Sequence, residues 1–298
     1  MIECLTFLAV DPMRRIPITL LLITLVLLLS GCGMIVERQA SKAAQSLSDA
    51  LLNQEDPEMV ASAMPTFLIV VDSIAADPNA SASTLLSAAQ MYGAYAGAFV
   101  SDERRKKILS LRALDYIRRG SCASEKKWCE LEQLNREAFA DWMKKLEKED
   151  VAVAYAYATS WLGYIQANSE DWNNVANLAK AKELLLFVAA ENEGYDHAGA
   201  HLYLGAIEST LPPAMGGKPE EGKKHFDRAL ELTGGRHLLV KVEYARRYAR
   251  MVFDKELHHQ LLTEVVATSP KEPGLTLTNS WAQQEARKLL ADESAYFD

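Results

Sequence analysis

Helix breakers are scarce in this sequence. Its 298 residues include 15 glycines and 10 prolines, well under the roughly 7% and 5% of average usage. Little interrupts helices, and the turn residues that serial β-hairpins need are missing. Cysteine is sparse too: four residues are too few for a disulfide-stapled miniprotein. Lysine and arginine form no dense tract, and 40 acidic against 32 basic side chains give a net charge of −8. That balance argues against a nucleic-acid partner. The catalytic signatures are absent as well: there is no GxSxG, P-loop, GxGxxG, kinase set or HExxH. What is present is a chain 49% hydrophobic and 24% charged, long enough to bury a large core. Composition therefore predicts a moderately acidic, helical protein and leaves its purpose open.

The N-terminus carries an address. Arg14 and Arg15 precede an apolar run at residues 16–29. The run falls short of the roughly 20 residues a spanning helix needs and matches the n- and h-regions of an export signal. It ends in Leu29-Ser30-Gly31-Cys32, which resembles the bacterial lipobox. Residues 1–31 are thus expected to be a removable lipoprotein signal peptide, translated from Met1 or from Met13. Cys32 would become a lipidated first residue, anchored to the membrane without spanning it. Gly33 replaces the Asp typical of inner-membrane retention, so the periplasmic face of the outer membrane is favoured. Cys122 and Cys129 would then sit in an oxidising compartment. On one continuous helix they lie about 10.5 Å apart along the axis, too far to bridge. A turn at Gly120-Ser121, with a new helix from about Ser124, would let them meet. Disulfide and free thiols both stay open.

Helical periodicity then runs to the end. It predicts helices at 36–53, 57–76, 81–101, 103–119, 124–147, 151–168, 174–193, 196–211, 218–233, 237–253, 255–268 and 276–291, with a kink or break at Pro65. Short connections imply antiparallel hairpins. Several hairpins share tetratricopeptide-like spacing. One has Leu204-Gly205, Gly222, Phe226, Ala229 and Gly234; another has Leu162-Gly163, Lys182, Leu186, Ala189 and Gly194. Weaker copies fall at 85–119 and 240–270. The predicted fold is an all-α, helical-hairpin (TPR-like) solenoid of roughly 11–12 helices. Residues 32–298 would form a single domain: N-terminal helices at 36–147, hairpins at 151–270 and a C-terminal helix at 276–291.

One stretch is more specific. Residues 197–205 read His-Ala-Gly-Ala-His-Leu-Tyr-Leu-Gly, residues 211–217 read Leu-Pro-Pro-Ala-Met-Gly-Gly, and residues 225–232 read His-Phe-Asp-Arg-Ala-Leu-Glu-Leu. With Gly234-Gly235-Arg236, Tyr244-Ala245 and Leu275-Thr276-Leu277-Thr278-Asn279, the chain resembles the TatT family, the tetratricopeptide-like lipoproteins associated with some TRAP transporters. The Pro-Pro…Gly-Gly insertion is the telling feature. The N-terminal third matches loosely, and Ser280-Trp281 stands where small aliphatics are expected. The resemblance implies a periplasm-facing lipoprotein working beside a TRAP solute-binding protein. It also implies a helical body with an apolar cleft or tunnel for a small organic or hydrophobic ligand, and no enzyme activity or cofactor.

Several residues are candidates for that role, each against a plain packing alternative. Tyr157, Trp161 and Tyr164 share one helix face; Tyr244 and Tyr248 share another, and Tyr203 sits in the repeat core. Aromatics of this kind can line an apolar site while their hydroxyls orient a polar end. Arg246, Arg247 and Arg250 gather positive charge on one late helix, where Arg246 and Arg250 can pair with a carboxylate. His197 and His201 are spaced i, i+4, with Glu193 and Asp196 near, but they lack the third committed ligand a metal needs; no metal is expected. Pro212, Pro213, Gly216 and Gly217 set a loop that shapes an opening or a contact surface. Two functional readings follow: a transporter accessory with an internal apolar tunnel, or a scaffold for envelope assembly with an open groove. Ligand identity and homo-oligomerisation stay open.

Overall fold

The computed structural model describes residues 46–211, 213–215 and 217–297. The signal-like segment, Cys32, Pro212 and Gly216 lie outside the described residues. The chain divides into two units between residues 51 and 52; residues 46–51 are helical.

Within the body the described residues are all-α, without a strand. Helix α1 (Pro57–Ala75) opens on Asp56, whose carboxylate accepts from the Glu58 and Met59 amides, with proline in the first turn. It runs through Pro65 without ending, so the expected break does not occur. By length and composition α1 is apolar enough to cross a membrane, at a mean hydropathy of 1.5. Its Asp72, however, is tied down by protein groups: Tyr92 and Tyr116 both donate to it, and Arg112 pairs with it. Burial beside that carboxylate pushes the Tyr92 hydroxyl up to about 12.

Helices α2 (Ala82–Phe99) and α3 (Glu103–Ser124) are capped by Ser81 and Asp102 and pack against each other along their length. Gly120 lies inside α3 and makes no turn. A Cβ there would stand 2.9 Å from the Leu85 Cβ, so this glycine lets the two helices approach closely. Cys122 therefore belongs to the last turn of α3, and Cys129 returns to it through a 3₁₀ turn at Lys126–Trp128. The two are disulfide-bonded, with Cα atoms 4.6 Å apart.

The single helix expected at 124–147 is broken up. Only α4 (Arg136–Met143) is α-helical, preceded by 3₁₀ turns and by Glu130 at φ 62°. Burial of Trp128 and Trp142, in edge contact at 5.0 Å between ring centroids, outweighs local helix propensity. Next come α5 (Val151–Ala167), the short α6 (Trp172–Ala176), α7 (Leu178–Glu191), α8 (Tyr195–Glu208), α9 (Pro219–Thr233) and α10 (Leu238–Glu243). The chain continues through a π-helical turn at Tyr244–Ala249 into α11 (Lys255–Ala267), α12 (Thr276–Ala291) and α13 (Glu293–Phe297).

Each long helix packs on its predecessor or the one before that, and α12 also touches α1. In the α8–α9 hairpin, small residues set the approach. A Cβ on Gly205 would meet the Phe226 ring at 2.8 Å, and one on Gly222 would meet the Ser209 Oγ at 2.2 Å. Behind it a second core joins Leu202, Phe226, Leu238, Tyr244, Leu262 and Ala286. Each large apolar side chain buried there is worth about 1.5–3 kcal/mol.

Candidate functional site

The aromatic candidates are not brought together. Tyr157 and Trp161 are buried in the N-terminal half, in contact with each other, and Tyr157 stacks on Trp128. The Tyr157 hydroxyl donates to Glu132 at 3.0 Å. These rings close space rather than bound it. Tyr164 is half-buried on the same helix. Tyr203, also half-buried, meets Tyr155 edge-on in a separate cluster.

That cluster surrounds an unusual backbone. Asp196, His197 and Ala198, at the start of α8, all have left-handed dihedrals, with φ of 48°, 53° and 61°. None is glycine, so each position is strained by about 1–2 kcal/mol. Packing holds the turn: His237 donates from Nδ1 to the His197 carbonyl at 3.1 Å. Gly199 lies so close to the Tyr155 hydroxyl that a Cβ would stand 2.1 Å from it. This turn also removes the i, i+4 relation of His197 and His201. His201 instead faces His225, with their Nδ1 atoms 2.9 Å apart, and burial lowers the pKa of both rings. No group of three metal-ligating side chains occurs among the described residues.

Tyr244 and Tyr248 are buried on the π-turn. Tyr244 stacks on Phe226 at 5.0 Å and donates to Asp227, while Tyr248 donates to Glu220 at 2.8 Å. Burial pushes both hydroxyls up to about 12. A π-turn takes one more residue per turn than an α-helix and recurs at functional sites. Here it opens a recess of about 210 Å³, lined by Ser209, Thr210, Arg246, Arg247, Arg250, Met251, Phe253 and Tyr296.

The three arginines of that recess differ in their partners. Arg246 bonds Glu243 and Glu285, the latter at 2.8 Å, and Arg247 bonds Glu243 at 3.1 Å. Arg250 has no carboxylate among the described residues, and its Nε is buried without an acceptor. Its guanidinium lies 4.5 Å above the Tyr296 ring. Ser209 is 1% exposed and its Oγ also has no partner. Phe253, at the rim, is 73% exposed and left-handed at φ 57°, which is costly for an aromatic residue.

A second recess of about 140 Å³ is lined by His197, Arg236 and Glu272 among others. Its charges are already matched, because Arg236 bonds Glu272 at 2.9 Å. Neither recess is lined by Tyr157, Trp161, Tyr164, Tyr203, Tyr244 or Tyr248. Of the family-specific loop, Pro213–Met215 form a 3₁₀ turn with Pro213 and Ala214 exposed. Gly217 leaves no room for a Cβ beside the Leu211 carbonyl. Sequence reasoning missed Ser209, Phe253 and Tyr296. An exposed phenylalanine after a helix and a serine at a helix end carry no pattern that would single them out.

The described residues form an all-helical body with a charged recess beside the π-turn. The family model for the TRAP transporter T-component matches residues 53–297, and the chain belongs to that family. It is an accessory component of a TRAP transport system. No curated protein matches the chain.

Proposed function

We propose that this chain is a lipid-anchored periplasmic accessory that docks the solute-binding protein of a TRAP system and handles a small organic ligand. Cys32 would carry the lipid, with the outer membrane's periplasmic leaflet favoured by Gly33. The observation that carries the ligand-handling part is the recess at the π-turn, where the Arg250 Nε is buried without a hydrogen-bond partner among the described residues of a protein of net charge −8. Of the residues considered from sequence, Arg250 is the proposed ligand contact, with Arg246 held beside it by Glu243 and Glu285. Tyr244 and Tyr248 support the recess from behind. Tyr157, Trp161, Tyr164 and Tyr203 are assigned to packing in this reading. The loop that carries the exposed Pro213 and Ala214 is the proposed contact surface for the binding protein.

The test expresses the full chain with the solute-binding protein of its own transport system. The wild type is expected in the membrane fraction, co-purifying with the binding protein after detergent extraction, and Cys32→Ser in the soluble fraction. Elution of the binding protein apart from the chain, under crosslinking as well, would overturn the docking role. A scaffold for envelope assembly is the second reading. It draws on the outer face of α1, where Met59, Ile69, Val70 and Ile74 are exposed.

A further inference from the structure

We propose that α1 and the first half of α3 form a seat for an anionic phospholipid surface, on which the body lies without crossing it. The exposed apolar face of α1 enters the headgroup region, and Arg104 and Arg105 meet lipid phosphates. This rests on the membrane placement proposed above but on no feature of the anchor at Cys32, and the recess at the π-turn takes no part in it.

The apolar part is the outer face of α1. Met59, Ile69, Val70 and Ile74 are exposed there, Ile69 over 70% of its surface. Between Met59 and Ile74 no exposed residue is charged. The hydroxyls on this face are turned inward: Ser62 donates to the Glu58 carbonyl at 2.8 Å and Ser73 to the Val70 carbonyl at 2.7 Å. They can therefore leave water at little cost. Contiguous apolar surface of this kind marks a protein or membrane contact. Asp72, held by Tyr92, Tyr116 and Arg112, keeps another side of α1 on the protein. The helix can thus lie on a bilayer but not span it.

Helix α3 supplies what tells lipid from protein. Residues 104–107 read Arg-Arg-Lys-Lys, and the helix carries seven basic against two acidic side chains in a chain of net charge −8. Lys106 pairs with Glu103 and Lys107 with Glu170. Arg104 and Arg105 are exposed, and among the described residues no carboxylate pairs with either. Their place is locally unfavourable, because cations in a first turn oppose the helix dipole. They also border the apolar face. Asp72 meets Arg112 and Tyr116, and the Ala75 carbonyl accepts from Arg119, so α1 and α3 run in parallel with residue 72 level with residues 112–116. About one turn back on each helix stand Ile69 and Ile108, both exposed, and Arg104 and Arg105 follow a turn further. Leu111 widens the patch. Apolar side chains beside arginines that reach up to phosphate make an interfacial surface. A second copy would bring the same arginines and no anion, whereas a bilayer offers acyl chains and phosphates in one layer.

The experiment places the full-length chain on vesicles of phosphatidylethanolamine and a diazirine-bearing phosphatidylglycerol, and maps the photo-adducts by mass spectrometry. Adducts are expected in residues 58–75 and 104–112, at least about fivefold above the peptides of α7–α9. Arg104→Glu with Arg105→Glu should lower that yield at least about tenfold, since each cation near an anionic surface is worth about fivefold. The same variant should keep or raise its melting temperature, because acidic side chains suit a first turn; a merely structural role would lower it. Ile69→Ser with Ile74→Ser should lower the yield about fivefold with both arginines in place. A phosphatidylcholine probe, or high salt, should act as the arginine variant does. Adducts spread evenly over the body, a yield indifferent to lipid charge, wild-type labelling in the arginine variant, or no labelling at all would each overturn the proposal. So would crosslinks from α1 to a second copy or to the solute-binding protein in place of lipid. The anchor is read separately, from the intact mass of the wild type. Adducts at α1 and α3 without an acyl group on Cys32 leave the seat standing and remove the anchor; an acylated chain with scattered adducts removes only the seat. Two arginines and one apolar face hold weakly by themselves, so Cys32→Ser is still expected in the soluble fraction.

Discussion

The two halves of the body use aromatic residues in opposite ways. In α2–α7, Trp128, Trp142, Tyr157 and Trp161 interlock edge and face; the Tyr157 hydroxyl ends on Glu132 and the Trp142 indole on the Lys127 carbonyl, while the Trp128 indole nitrogen is buried without a partner among the described residues. In α8–α13, Tyr244 and Tyr248 are buried, but Phe253 and Tyr296 reach outward around an arginine. Backbone follows the same division. Among the described non-glycine residues, left-handed φ occurs once before α8, at Glu130, and four times after its start. Regular α turns let rings interdigitate, whereas an extra residue in a turn leaves a gap that no neighbouring ring fills. Packing perfection and an open recess are alternative outcomes of the same residue types.

That contrast can be broken by experiment. Trp161→Ala should have the largest effect, a loss of about 3–5 kcal/mol in urea unfolding, because its site is closed on all sides. A loss below about 1 kcal/mol would show that the N-terminal half is as loosely packed as the recess. Removing the Cys122–Cys129 bond by a double serine variant should cost about 2–3 kcal/mol, as expected for so short a closed loop. The effect should be confined to hydrogen exchange in α3 and α4. Gly205→Ala, which drives a methyl group into Phe226, should cost about 1–3 kcal/mol and act on the C-terminal half alone.

The smallest effect concerns pH, and it also divides the halves. All six histidines follow residue 196. Burial is the first cause that holds His201, His225, His237 and His258 below their ordinary value. Since the unfolded chain binds those protons more readily, their contribution is present above about pH 6.5 and is lost as pH falls through it. Denaturant titrations between pH 7.5 and 5.5 should show declining stability, with exchange rising in α8–α12 and not in α2–α5. Equal acceleration in both halves would remove the distinction.

Much of this was legible from the chain. Scarce glycine and proline announced the helices, and Ser81, Asp102 and Asp254 each cap one. Gly205, Gly222 and Phe226 meet as their spacing implied. Arg246 and Arg250 do share a recess. Other features leave no periodic trace. A π-turn shifts the phase by one residue, which a count of 3.6 absorbs unnoticed. The left-handed turn at 196–198 lacks glycine at every strained position, so it depends on Gly199 and His237, contacts distant from local propensity. The region at 124–147 looked helical because burial of two tryptophans and a disulfide, not backbone preference, decides its path.

The contact between α1 and α12 has a mechanical consequence. Arrays of stacked hairpins ordinarily fray from free ends. Here the Gly274 amide donates to the Asn53 side chain at 3.0 Å, and Lys271 reaches Glu55 at 2.8 Å. The ion pair is exposed and worth little, so the latch is light. Tension applied through the chain segment ahead of residue 53 would therefore reach the loop before α12 directly, without first peeling the hairpins between them. The single amide proton of Gly274 becomes the gauge of whether that latch is shut.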